Sequence, residues 1–273
     1  RALDLTLKPQ TVSLSGATGE LSVTNEFVRR GRSYNVLGMV EGIDPMLKQE
    51  TIVYSAHFDH DGLELDGSPY PGADDNGSGT VGVVALARAL AASKPKRSLL
   101  LAVFAAEERG LLGSYYYTEN PIRPLASTRA VINFDMIGRN ETPSKQTDGL
   151  IEIAADTSNE VNVVGLKYSP DYRSAVERAN RQVDLRISTK WDEDTVVNVL
   201  FRSDQYPFLL HNIPAMWWFT GFHPDYHQIT DTADRINYSK MEKILKLAAL
   251  TGLDFANAEK PPAFLSTGAP TVK

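Results

Sequence analysis

The stretch PGADDNGSG, Pro71 to Gly79, sets two adjacent aspartates, Asp74 and Asp75, among glycines directly ahead of the helical run TVGVVALARALA. Acids in that place commonly cap a helix, and glycine-rich loops there commonly cradle phosphate through backbone N–H groups. A phosphate cradle needs a lysine or arginine close by, and this loop offers only negative charge. The question is what positive species it holds. Other acids and two histidines fall in similar places. TIVYSA runs into His57 and Asp59, LLLAVFAA into Glu107 and Glu108, AVINF into Asp135, and AMWWFT leads through GFHPDY to His227. Asp59, Asp75, Glu107, Glu108 and Asp135 crowded at the end of one hydrophobic sheet are untenable without cations or large upward pKa shifts. A pair of divalent ions resolves the conflict. Asp75, Glu108 and Asp135, with a bridging hydroxide, balance two M²⁺, and neutral His57 and His227 complete the shells. The chain has five histidines and no cysteine, which removes disulfides and thiolate sites. Ligands of nitrogen and oxygen alone, two of them histidines, suit Zn²⁺ best, with Mn²⁺ or Co²⁺ as substitutes.

The elements that must position these residues read as an α/β domain. At 273 residues the chain is long enough for one large domain with a deep core. From Tyr34 onward the apolar runs YNVLGMV, TIVYSA, SLLLAVFAA, AVINF and IPAMWWFT alternate with helical stretches. Near-continuous apolar strands are buried on both faces, so a mostly parallel sheet between two helical layers is expected. In such sheets ligands bind beyond the carboxyl ends of the strands, where the acids and histidines fall. Helices are expected at Gly79–Ser93, Arg109–Asn120, Ser174–Val183 and Tyr238–Ala258, the last capped by Ser239, and long loops from Arg139 to Ser169. Residues 1–33, with the runs LDLTL and ELSVT and a basic patch at Arg29, Arg30 and Arg32, read as edge strands and loops. The tail 259–273 is Pro-rich and expected to lie along the surface or to be mobile.

Composition excludes several functions. A net charge of −6 and a pI near 5.4 argue against nucleic-acid binding. No apolar run approaches the roughly 18 residues of a membrane span. The chain opens at Arg1 without a charged-then-apolar leader, the form expected of a processed protein.

The segments AHFDHDG, PGADDNGSG, AAEERGLLGS, NFDMIG, FRSDQYPF and YHQITDTAD, in that order, resemble the co-catalytic dizinc aminopeptidases, secreted exopeptidases of leucyl-aminopeptidase type. The similarity spans about residues 34–258. It implies a three-layer αβα zinc-exopeptidase architecture of the phosphorylase/hydrolase-like kind with a mixed, mostly parallel sheet. It makes 34–258 the catalytic domain and 1–33 an N-terminal extension, the remnant of an accessory domain. Asp75 becomes the carboxylate that bridges two zinc ions, with Glu108 and His227 on one and His57 and Asp135 on the other. The resemblance also implies that Asp59 orients His57, that Glu107 is the general base for a metal-bridging hydroxide, and that Tyr226 stabilises the oxyanion. A cis peptide between Asp75 and Asn76 and an extracytoplasmic setting, periplasmic or secreted, belong to the same pattern. The implied substrate is the N-terminus of a peptide or protein. Phe208, Trp217, Trp218, Phe219 and Phe222 are candidates to line a pocket for an apolar first side chain.

Plainer readings stand beside these. His60 and His223 suit a solvated or supporting role, and His211 the C-terminal end of a helix. Asp74 caps or shapes its loop, Asp61 and Asp66 are loop carboxylates, and Asp231 fixes the loop after His227. In the RSD segment, Arg202 to Asp204, a positioning or substrate-side role competes with a helix cap by Ser203 or Asp204. Trp217 and Trp218 suit the core as well as a pocket. Glutaminyl cyclases, carboxypeptidases or dipeptidases on the same metal core, and a non-catalytic binding module are the competing functions.

Overall fold

In the computed structural model, which describes residues 15–16, 18–24 and 31–265, the apolar runs form the strands of one sheet. They are β1 (Val36–Val40), β2 (Thr51–His57), β3 (Ser98–Phe104), β4 (Thr128–Phe134) and β7 (Ala215–Phe219). Every residue of β2, β3 and β7 is buried, as parallel strands covered on both faces require. Two further strands, β5 (Glu160–Val164) and β6 (Arg186–Ser188), complete a seven-stranded sheet in the order β1-β3-β2-β4-β7-β5-β6. Strands β3, β2, β4 and β7 run parallel, while β1 on β3 and β5 on β7 are antiparallel.

Strand alternation sorts the core into two faces. Ile52, Tyr54, Leu99, Leu101 and Ile132 pack with Val83 and Leu86 of helix α1 (Gly79–Leu90), Tyr172 and Val176 of α3 (Pro170–Asn180), and Ile244 and Leu247 of α5 (Tyr238–Asn257). Val53, Leu100, Phe104 and Val131 face the other way, toward Tyr117 of α2 (Leu112–Glu119) and Phe208 of α4 (Tyr206–Leu210). The result is the expected three-layer αβα arrangement with a mixed, mostly parallel sheet. The unit Ser33–Lys273 contains all of these elements.

Four expectations need correction. The region 139–169 is not loop throughout, because β5 lies inside it. ELSVT is not a strand; its residues are exposed and without regular structure, whereas LDLTL, Arg29 and Arg30 lie outside the described residues. Helix α5 is capped by Asn237, whose side chain accepts the Lys240 N–H, and not by Ser239. Neither Ser203 nor Asp204 caps α4, whose N-cap residue is Gln205 with no side-chain cap bond. Of the tail, residues 259–265 are described. Ala263 accepts a hydrogen bond from Ser169 Oγ, and the Leu265 N–H donates to Tyr168 O.

Among the described residues, no helix is long and apolar enough to cross a membrane.

Two packing details of α5 generate tests. A Cβ added at Gly252 would stand 1.9 Å from Tyr54 Oη, on a ring fixed inside the sheet. Gly252→Ala is expected to lower unfolding stability by about 1–3 kcal/mol in a urea titration. Lys240 is buried, and its Nζ donates to the carbonyls of Arg139 and Thr157, both at 2.9 Å. Burial lowers its pKa from 10.5 to about 8. The unfolded chain keeps this proton up to its ordinary value while the folded chain releases it earlier. Stability therefore rises with pH between about 8 and 10.5. Relative to Lys240→Met, the wild type is expected to gain about 1–2 kcal/mol from roughly pH 7.5 to 9.5, measured by the same titration.

Candidate metal centre

The parallel strands β2, β3 and β4 deliver their carboxyl ends to one edge, and the chemistry-bearing residues follow at once. His57 is the last residue of β2 and is 1% exposed. Its Nδ1 meets the Asp59 backbone carbonyl at 3.1 Å, which fixes the ring. Its Nε2 has no hydrogen-bond partner among the described residues and faces Asp75 Oδ1 at 3.5 Å and Asp135 Oδ1 at 3.6 Å. Opposite, His227 Nε2 lies 3.1 Å from Asp75 Oδ2 and 3.5 Å from Glu108 Oε1. Each oxygen of Asp75 thus faces a separate histidine–carboxylate pair.

These separations test whether the donors fit a metal. Ligands about 2.0–2.1 Å from a tetrahedral zinc stand roughly 3.3 Å from one another. The four distances bracket that value, and an orphaned buried imidazole nitrogen points into one of the two sets. The donor types and their spacing fit zinc. Donor atoms also cluster in the groups His57, Glu107, Asp135 and Asp61, Glu108, His227, with His60 near Asp75 and Glu108.

The loop holding Asp75 is fixed from three sides. The N–H groups of Asp74 and Asp75 both donate to Asp231 Oδ2, at 2.9 and 3.1 Å. Asn76 Nδ2 donates to Phe134 O, while Asn76 Oδ1 accepts from the Gly79 and Met136 amides. Asp74 turns away from the site, where Oδ1 accepts the Gly138 N–H and Oδ2 meets buried His223 at 3.1 Å. Gly72 has φ +57°, and a Cβ there would press on Asp75 O at 2.5 Å and on the His60 ring at 2.8 Å. The Asp75–Asn76 peptide is cis.

Asp59 departs from its expected part. Its carboxylate lies 3.8 Å from His57 Nδ1, beyond hydrogen-bond reach, and instead accepts the backbone N–H groups of Glu107 (3.0 Å) and Glu108 (3.2 Å). It therefore pins the turn that sends the two glutamates to different halves of the site, and its main chain, not its carboxylate, holds the imidazole. The analogous task at the other histidine falls to Asp61, read from sequence as a loop carboxylate, whose Oδ2 is 2.9 Å from His227 Nδ1. The every-second-residue spacing of His57, Asp59 and Asp61 was the available signal. His60 Nδ1 contacts Glu108 Oε1 at 3.0 Å. Asp204 is fully buried, neither carboxylate oxygen has a hydrogen-bond partner among the described residues, and burial pushes its pKa up to about 7 despite the opposing pull of His57.

The electrostatics show what the crowding costs. Burial raises Asp75 to about 6, with His227 opposing and Asp135 adding to the shift. Burial and the neighbouring Asp135 and Asp204 raise Glu107 well above the ordinary range, against the pull of His57. For the histidines burial works against charge, yet the surrounding acids win: His57 is raised and His227 is raised to about 9. Without cations the site can exist only by holding protons.

A cavity of about 310 Å³ opens over these residues. Its walls include Asp75, Glu107, Glu108, Asp135 and His227, and beyond them Leu111, Met136, Phe201, Arg202, Trp217, Phe222 and Tyr226. Of the aromatics expected there, Trp217 and Phe222 line it. Phe208, Trp218 and Phe219 do not; they are buried in the three core clusters. The Tyr226 ring packs at a tilt of 49° against His227, with ring centroids 4.1 Å apart, and its hydroxyl accepts from Arg202 Nη2 at 3.3 Å.

Comparison with known proteins places this geometry in context. The sequence pattern of "Peptidase family M28" matches residues 35–251. A leucine aminopeptidase 2 of Arthroderma otae is 26% identical over 249 residues, covering 81% of this chain and 45% of its own. Among solved structures, the chain resembles a zinc aminopeptidase from Bacillus subtilis with a TM-score of 0.64 and 22% identity, over 83% of this chain and 51% of the other. It also resembles a glutaminyl cyclase of Bacteroides thetaiotaomicron with a TM-score of 0.60 and 20% identity, over 81% of this chain and 77% of that one. The chain spans less than half the length of the Arthroderma relative.

If His57 and His227 ligate zinc they must be neutral, so zinc uptake by chelator-stripped protein at about pH 7 is expected to release at least about two protons, one from each imidazole, beside any held by the buried acids. Calorimetric titration in two buffers of different ionisation enthalpy measures this number. A value near zero would show that His57 and His227 are not ligands.

Proposed function

The chain belongs to peptidase family M28, and from that membership we propose that it is a zinc-dependent aminopeptidase. The observation that carries the reading is Asp75, with one carboxylate oxygen facing His57 and Asp135 and the other facing His227 and Glu108. Asp75 would bridge two zinc ions, His57 and Asp135 holding one, Glu108 and His227 the other. When bound, such a pair polarises the scissile carbonyl and makes a water acidic enough to attack at neutral pH. Mn²⁺ or Co²⁺ would serve as substitutes.

The protein's own residues do the rest. Glu107 lines the cavity, and its Oε2 lies 4.0 Å from His57 Nε2. Its carboxylate takes a proton from the attacking water and returns it to the leaving amine. Burial raises its affinity for that proton, which suits a base that must later act as an acid. Tyr226 Oη accepts from Arg202, which leaves its own proton to donate toward the carbonyl oxygen as negative charge develops. The substrate ammonium is met by the acidic wall that includes Glu107 and Asp135. Leu111, Met136, Phe201, Trp217 and Phe222 offer an apolar surface to the first side chain.

Chelation is expected to abolish release of leucine from leucyl-p-nitroanilide, and stepwise zinc return to restore it. N-acetylation of a peptide substrate should block cleavage, whereas C-terminal amidation should not abolish it. The opposite pattern would indicate a carboxypeptidase, and pyroglutamate formation from a Gln-peptide a cyclase. Glu107→Gln is expected to retain its metal while kcat falls about 10²–10⁴-fold. Full activity in that variant would remove Glu107 from its role.

A further inference from the structure

Arg202 is, among the described residues, the cavity wall's one permanently charged cation, and it forms no ion pair there despite four carboxylates in the same wall. Its placement accounts for this. The guanidinium lies 5.7 Å from the centre of the Phe222 ring and donates to Tyr226 Oη, so an aromatic face and a phenol engage it in place of the acids. Phe222 is itself buried against Trp191 and Phe219 and gives the planar head a fixed platform. The backbone below is equally fixed: the Arg202 N–H donates to Val199 O, and the next residue, buried Ser203, accepts from Asn133 Nδ2 of β4. An arginine on an aromatic face keeps its remaining N–H donors open for a planar anion.

We propose that Arg202 anchors the C-terminal carboxylate of short peptides, so that this site prefers dipeptides with a free C-terminus. The proposal rests on the aminopeptidase reading above, which sets the substrate's direction. The ammonium end faces the acids, the scissile carbonyl faces Tyr226 Oη, and the residue after the scissile bond lies toward Arg202. With consecutive Cα atoms about 3.8 Å apart, the carboxylate of that next residue is the substrate group nearest the scissile carbonyl on its C-terminal side, and Arg202 is the cation bonded to the hydroxyl assigned to that carbonyl. In a longer peptide the same place holds a neutral carbonyl, whose bond to Arg202 is roughly half as strong. One wall carrying both acids and a cation offers a partner to each charged end of a zwitterion.

The test compares kcat/KM for leucyl-alanine and leucyl-alaninamide, with leucyl-p-nitroanilide as the reference, in the zinc-loaded wild type, Arg202→Met and Arg202→Lys. The wild type is expected to favour the free acid by about fivefold or more, mainly through KM, consistent with a charge-assisted pair. Arg202→Met should bring the ratio of acid to amide close to one, and Arg202→Lys should retain an intermediate preference. Taking the ratio cancels any general loss from disturbing Tyr226. Equal rates on acid and amide in the wild type, or an unchanged ratio in Arg202→Met, would overturn the anchor. Failure to cleave any of the three substrates would instead overturn the aminopeptidase reading itself.

Discussion

The crowding of carboxylates at the end of a dry sheet is the constraint on which the rest of the site depends. Asp75, Glu107 and Asp135 are all nine-tenths buried or more, and two imidazoles stand among them. Buried like charges cannot coexist unless protons or metal ions intervene, and the raised pKa values of Asp75, Glu107, His57 and His227 are the protonic form of that compensation. Much of the surrounding structure is backbone donors directed at acids. Asp231 takes two amides, Asp59 takes two, and Asp74 takes one. These bonds fix where the crowding occurs without adding positive charge, so the strain is released only by something that enters the site.

The same logic explains why supporting residues lie far away in sequence. Asp231 steadies a loop more than 150 positions earlier, and Asn76 ties that loop to the end of β4 through Phe134 O. The sheet's parallel order makes this possible, because β2, β3 and β4 share one orientation and their following loops meet at one rim. Lys240, Arg97 and Tyr54 do comparable work away from the rim by joining α5 or the segment after it to strands and loops.

Much of this was legible in the sequence, for physical reasons. Strands buried on both faces write themselves as unbroken apolar runs, and the residues at their carboxyl ends are then conspicuous because they are polar. β5 escaped notice because EVNVV carries Glu160 and Asn162 into the interior, where Glu160 is met by Arg186 and Lys190 from distant segments. The parts played by Asp59 and Asp61 depend on side-chain direction, which spacing does not specify. The aromatics divide between pocket and core by the pleat: neighbours in AMWWF face opposite sides, so Trp217 reaches the cavity while Trp218 packs in the helix-covered core. The competition at Asn237 and Ser239 for the cap of α5 turns on two residues, finer than amphipathic periodicity resolves.

The two histidines differ in their contact with water. His57 closes a buried strand and is 1% exposed, whereas the His227 side chain, on a loop, is 29% exposed. Neighbouring groups close over the His57 side, while the His227 side meets solvent directly. The two halves of the site thus differ in access, one sealed inside the sheet and the other open at the loop.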